Sequence, residues 1–209
     1  MTFEVLTPAQ IAAGHKADHI LDTVKARPID WNNIEDPKDK EVWDKLTENF
    51  WLPEKVPLSN DVKSYNNLPE AEKKVMQNTY GMLTLLDTIQ STVGATAMVG
   101  DALTPHEEAV YSNIVFMESV HAKSYSSIFS TLCSKEENDA IFEWTENNEL
   151  VQNLARIQMN FYTDIDPIKR KIAGTMLEGY LFYTGFFTPF YMGSRNKLPN
   201  LSLIHISEP

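Results

Sequence analysis

The sequence predicts an all-α helical bundle, and three observations carry that expectation. Apolar residues recur at helical spacing through several long stretches, and no run of alternating apolar and polar residues suggests strands. Helix-start signals open these stretches, at Pro69-Glu70-Ala71-Glu72, at Thr104-Pro105-His106-Glu107 and at Asp166-Pro167. Glycine, the residue that most weakens helix interiors, is sparse, with 8 in 209 residues. Helices this long in a chain this short bury their apolar stripes by packing side by side.

The elements follow in order. Residues 7–25 read as a polar amphipathic helix begun by Thr7-Pro8, so residues 1–26 form an N-terminal extension. Residues 27–65 are punctuated by Pro28, Pro37, Pro53 and Pro57, with one short helix over residues 42–50. This stretch reads as an arm wrapped over a core, with Trp31, Trp43 and Trp51 as anchors. A long helix is expected over residues 68–99, and Asp101-Ala-Leu-Thr breaks it. The capping box at Thr104 with Pro105 starts a second long helix, which ends near Leu132. Shorter helices are expected over residues 135–147 and 150–162. Asp166-Pro167 starts a third long helix toward Ser194, which Pro189 should kink or end. There is no internal repeat and no low-complexity tract.

Composition narrows the function. The net charge of −11 argues against nucleic acid or an anionic membrane as partner, since both reward basic patches. The single cysteine, Cys133, excludes an intrachain disulfide framework and fits a reducing compartment. The N-terminal text lacks the basic start and apolar stretch of a signal peptide, and nothing approaches 18 uninterrupted apolar residues, so a cytoplasmic location is expected. No Gly-rich phosphate loop, Ser-His-Asp arrangement or CxxC motif is present.

The chemistry concentrates on the second long helix. Glu118, His121 and Tyr125 fall within an arc of roughly 60° at about 100° per residue. The same face carries Tyr111, Ile114, Val115, Ala122 and Phe129. A carboxylate and an imidazole are thus directed toward a core, where burial without partners costs several kcal/mol. A metal ion removes that cost, and Glu-x-x-His at i, i+3 is an inward-facing ligand unit of dinuclear metal helix bundles. Asp87 stacks over Met76, Tyr80 and Leu83, and Glu178 shares a face with Phe182 and Phe186. Each of three long helices thereby presents an acid to the interior. Taken singly, Asp87 or Glu178 fits an ordinary solvated helix face, and Glu118 with His121 fits a surface ion pair. The joint pattern is what favours a metal site. His15 and His19 sit on a polar terminal helix, His106 lies in a first turn, and His205 and Glu208 lie in a tail without helical periodicity. None of these reads as a ligand, and Cys133 reads as an incidental thiol.

At these residues the chain resembles a known family. Asn49-Phe-Trp-Leu-Pro-Glu-Lys-Val-Pro-Leu-Ser-Asn60, Leu83-Thr-Leu-Leu-Asp-Thr-Ile-Gln90, Thr104-Pro-His-Glu-Glu-Ala-Val110, Phe116-Met-Glu-Ser-Val-His-Ala-Lys-Ser-Tyr125 and Leu177-Glu-Gly-Tyr-Leu-Phe-Tyr-Thr-Gly-Phe186 are similar to the radical-generating small (beta) subunit of class Ib ribonucleotide reductase. The similarity runs over about residues 27–200. It implies a ferritin-like bundle of the dinuclear metal carboxylate type and the activity of a ribonucleoside-diphosphate reductase. By resemblance, Asp87, Glu118 and His121 match ligands of a first metal, and Glu178 matches a carboxylate of the second. Tyr125 matches the tyrosine oxidised to a stable radical, with Phe182 and Phe186 as its apolar shield. Trp51 matches the relay toward the large catalytic subunit. The implied cofactor is dinuclear iron or manganese, and the implied partners are that large subunit, a flavodoxin-like activator and a second copy of the chain.

The resemblance stops after Asn200. A further helix with a second Glu-x-x-His is expected there, but the text reads Leu201-Ser-Leu-Ile-His-Ile-Ser-Glu-Pro209, with no capping signal and no face for a bundle helix. Residues 201–209 are therefore expected to be a foreign tail on a C-terminally incomplete bundle. Such a fragment would bind one metal weakly and hold no lasting radical. Other readings use the same residues differently. A ferritin-like metal-binding or oxidase protein without radical function needs no Tyr125 beside the ligands. A metal-free scaffold would pair the four donors with surface cations.

Overall fold

The computed structural model describes residues 28–206, with side chains through residue 202. The helix expected over residues 7–25, with His15 and His19, lies outside these residues, as do Glu208 and the His205 side chain. Within them there is no β-strand.

The arm begins with helix α1 (Pro37–Glu48), where the Asp36 side chain accepts from the Lys38 amide. It starts five residues earlier than expected, because Asp36-Pro37 supplies both an N-cap and a first-turn proline. Trp31 packs on Trp43, with ring centroids 5.3 Å apart, and edge-on against His106. His106 is buried with Nε2 3.0 Å from the Asp30 carbonyl oxygen, so this first-turn histidine anchors the arm. Two short 3-10 turns, Pro53–Lys55 and Leu58–Asp61, lead into the single-turn helix α2 (Val62–Asn66).

The first long helix is realised as α3 (Glu70–Ile89), a π-helical turn (Gln90–Gly94) and α4 (Ala95–Val99). The second is α5 (Pro105–Leu132). Thr104 Oγ1 accepts from the Glu107 amide at 3.0 Å, while the Glu107 carboxylate accepts from the Leu103 amide, one residue before the expected partner. Helix α6 (Lys135–Asn147) opens with a complete capping box between Ser134 and Glu137, and α7 (Glu149–Tyr162) is capped by Asn148. The third long run divides in the same way as the first: α8 (Pro167–Met176), a π-helical turn (Leu177–Leu181) and α9 (Phe182–Ser194). Pro189 does not end it, and the helix continues through that residue for five more.

Helices α3, α5 and α9 enclose a core that includes Tyr80, Leu83, Tyr125, Phe129, Phe182 and Phe186. Gly185 lets α9 approach α3, because a Cβ there would fall 2.6 Å from Leu83 Cδ2. Cys133 is half-buried with Sγ 3.2 Å from the Tyr65 hydroxyl, and burial pushes both the thiol and the phenol up from their ordinary values. It is a packed thiol, as expected.

The tail departs from expectation. Residues Pro199–Ile206 form helix α10, and Leu201 is fully buried in the core. Its cap is non-local. The buried Asp61 carboxylate accepts from the Leu201 amide at 2.7 Å and from Asn200 Nδ2 at 2.7 Å. The preceding loop turns through left-handed Asn196 (φ 55°) and Leu198 (φ 49°), held by the fully buried Leu198 side chain and by Lys197 on Glu72 at 2.6 Å. A capping residue about 140 positions away leaves no local trace, which is why the start of this helix is invisible in its own text.

Candidate metal centre

The π turn at Gln90–Gly94 and the one at Leu177–Leu181 both border a cavity of about 800 Å³. Asp87, Glu118, His121 and Glu178, the four donors expected from sequence, all line it, together with Gln90 and Trp51. Asp87 and Glu118 are buried, at 3% and 6% exposure, among apolar neighbours of α3 and α5. One turn of α5 separates Glu118 from His121, and the His121 Nδ1 lies 3.3 Å from Glu118 Oε2. Trp51, from the arm, lays its ring on the His121 imidazole, with centroids 5.7 Å apart and planes 18° from parallel. Its indole Nε1 is buried without a hydrogen-bond acceptor among the described residues.

Tyr125 is one turn further along α5, 2% exposed, with its ring 5.6 Å from that of Tyr80. Phe182 and Phe186 are buried in the same cluster and stack on each other at 6.1 Å. Tyr125, Phe182 and Phe186 belong to one buried apolar cluster.

Two expectations need correction. Glu178 is exposed on the cavity wall, not buried with Phe182 and Phe186. It lies inside the π turn, and the extra residue in that turn rotates it away from the face that a regular helix would give it. The four donors also do not converge: no group of three or more His, Cys, Asp or Glu side chains close enough to hold a metal ion occurs among the described residues. Carboxylates repel one another, and here the acids take separate partners, Glu118 beside His121 and Glu178 beside Gln90. The donor types still fit a hard or borderline cation, being carboxylates and an imidazole without a thiolate. They share one cavity rather than one preassembled cage.

Two features were missed from sequence. Gln90 donates from Nε2 to Glu178 Oε1 at 2.6 Å, and the Tyr162 hydroxyl donates to Gln90 Oε1 at 2.6 Å. An amide carries no metal-ligand signature, and Gln90 sits among Thr88, Ser91 and Thr92, where a polar residue attracts no notice. On the other wall, Lys171 bonds Glu107 at 2.7 Å and lies 5.5 Å over the Tyr111 ring. Burial works against the Lys171 ammonium, but Glu107 outweighs it and holds the group above its ordinary value.

Comparison with known proteins completes the description. The family described as ribonucleotide reductase, small chain, matches residues 28–206. The chain belongs to that family. It is 59% identical over 181 residues to a ribonucleoside-diphosphate reductase subunit beta of Mycobacterium leprae, covering 87% of this chain and 55% of the relative. It is 55% identical over 172 residues to the ribonucleoside-diphosphate reductase 2 subunit beta of Escherichia coli, covering 82% and 54%. The chain thus spans about half the length of the curated relatives it matches. Among solved structures, the Streptococcus sanguinis dimanganese(II)-NrdF superposes with a TM-score of 0.85 at 50% identity, over 88% of this chain and 65% of that one. The Clostridium botulinum ribonucleotide reductase R2 subunit, at 22% identity and a TM-score of 0.80, shares the fold. The bundle is therefore ferritin-like, as expected. The family match also extends through helix α10 to residue 206, so the first six residues of the expected foreign tail fall inside it. No described helix is long and apolar enough to cross a membrane.

Proposed function

We propose that this chain carries the metal-binding and radical-bearing core of the beta subunit of a class Ib ribonucleoside-diphosphate reductase. In this reading it works as a homodimer with a large catalytic subunit that reduces ribonucleoside diphosphates, and a flavodoxin-like activator serves the manganese form. One observation carries the proposal: His121 stands between Glu118 and Trp51, so a carboxylate–imidazole pair on the cavity wall is in ring contact with the arm.

Asp87, Glu118 and His121 would hold one cation, and Glu178 would offer a carboxylate to a second. When bound, dinuclear iron or manganese supplies the oxidising power to take an electron from a phenol. The residues of the chain do the rest. Tyr125 offers that phenol from a buried position one turn beyond His121, and Phe182 and Phe186 keep water from it. Trp51, whose ring stacks on His121, would pass charge outward from it.

Manganese titration followed by electron paramagnetic resonance tests the proposal. The described donors should bind Mn²⁺, and reconstitution should give a tyrosyl radical signal from Tyr125. Binding should be lost in Glu118→Ala and His121→Ala. Unchanged binding in both variants would overturn the assignment of these ligands. A ferritin-like metal-binding protein without radical function is the second reading, and the open spacing of the four donors favours it. It predicts the same binding, with Tyr125 never oxidised under any reconstitution.

A further inference from the structure

The hydrogen bonds behind Glu178 form a built unit. Gln90 is 1% exposed and Tyr162 is 1% exposed, so both polar groups are removed from solvent. The Tyr162 hydroxyl donates to Gln90 Oε1 at 2.6 Å, and Gln90 Nε2 donates to Glu178 Oε1 at 2.6 Å. The carboxylate fixes the sense of the amide, and the hydroxyl then donates to the amide oxygen. A flipped amide would set its oxygen against a carboxylate oxygen, and two acceptors would then face each other. Tyr162 is itself set by α7, one turn after the buried Gln158, whose Nε2 donates to the Ala173 carbonyl oxygen at 2.8 Å. Gly94 makes the approach feasible, because a Cβ there would sit 2.5 Å from both Gln90 Oε1 and the Tyr162 ring. The relay bridges the two π turns, since Gln90 opens one and Glu178 lies in the other. Widened turns of this kind are concentrated at functional sites.

We infer that Gln90 and Tyr162 are positioning residues: through one oxygen of the Glu178 carboxylate they set how that side chain faces a cation in the cavity. This rests on the proposed metal-binding role of Glu178. Partners of this sort, one bond behind a ligand, typically change metal affinity by about 10–100-fold when removed.

The test uses the full chain and Mn²⁺ alone as probe. Gln90→Leu keeps the side-chain volume and removes the amide, and Tyr162→Phe keeps the ring and removes only the hydroxyl. Each variant is titrated with Mn²⁺ by electron paramagnetic resonance, and the Gln90 side-chain amide is followed by nuclear magnetic resonance without metal. In the metal-free wild type, that amide should be shifted and protected from exchange, and Tyr162→Phe and Glu178→Gln should each move it. Mn²⁺ affinity should fall about tenfold or more in Gln90→Leu and by a smaller factor in Tyr162→Phe, with an altered line shape of the bound ion. Wild-type affinity and line shape in both variants would overturn the inference alone, as would a Gln90 amide that ignores Tyr162→Phe. A wild-type chain that binds no Mn²⁺ would overturn the metal reading and this inference with it. Should Gln90→Leu fail to fold, Tyr162→Phe with the amide resonance still decides the matter.

Discussion

Replacing Asp61 by alanine should unseat the last helix. The carboxylate is fully buried and accepts from the Leu201 amide at 2.7 Å, from Asn200 Nδ2 at 2.7 Å and from the Asn200 amide at 3.3 Å. Losing an N-cap costs about 1 kcal/mol. The Leu201 amide is also left buried without an acceptor, which adds about 1–3 kcal/mol. The expected loss is therefore roughly 2–4 kcal/mol, a large share of the 5–15 kcal/mol typical of a folded domain. Asp61→Asn keeps the shape and one acceptor oxygen, and should lose about half as much. Urea unfolding measures both: with a slope of about 1–3 kcal/mol/M, Asp61→Ala should lower the midpoint by roughly 1–2 M. Hydrogen exchange at the Leu201 amide should quicken in the same variant. A stability change below about 0.5 kcal/mol, the range of ordinary surface substitutions, would refute the reasoning and reduce Asp61 to a bystander.

Other outcomes follow from particular contacts. Gly185→Ala forces a Cβ to 2.6 Å from Leu83 and should cost about 1–3 kcal/mol in thermal or urea unfolding. Tyr125→Phe keeps the buried ring and should cost about 1 kcal/mol or less, while abolishing any tyrosyl radical signal that wild type gives after reconstitution. Burial pushes the Glu107 carboxylate up, but the Leu103 amide and the Lys171 ammonium outweigh it and hold the group below its ordinary value of 4.5. Its stabilising contribution is therefore present above pH 4.5 and is lost as pH falls through the depressed folded value. Glu107→Gln should flatten the acid side of the melting-temperature profile there, and an unchanged acid slope would count against that pairing.

Local text was sufficient where a helix is specified by its own residues. Thr104 and Pro105 mark the start of α5 because capping acts within one turn, and the apolar stripe of α5 placed Glu118, His121 and Tyr125 on one inward face. Asp87 followed from the same periodicity in α3. The π turns did not show, since an inserted residue has no composition of its own and changes only the register. That is why Glu178 was read onto the face of Phe182 and Phe186, and why Gln90 was passed over. The start of α10 was hidden for a different reason: its cap comes from Asp61, and a local reading sees no partner that far away. Convergence of four donors was read from shared inward faces, but faces fix only which wall a side chain occupies. The width of the space between the walls depends on how the helices pack.

The paired π turns also limit how this bundle can be shortened. Each amounts to one residue spliced into an otherwise regular rod, so deleting one of Ser91, Thr92 or Val93 would let that rod heal into unbroken α-helix. The flanking α3 and α4 would keep their phase, because the π turn absorbs the extra residue, but the side chains within the turn would shift. Gln90 and Glu178 would then lose the register that lets them bond. The two splices act as a pair, one on each side of the Gln90–Glu178 bond.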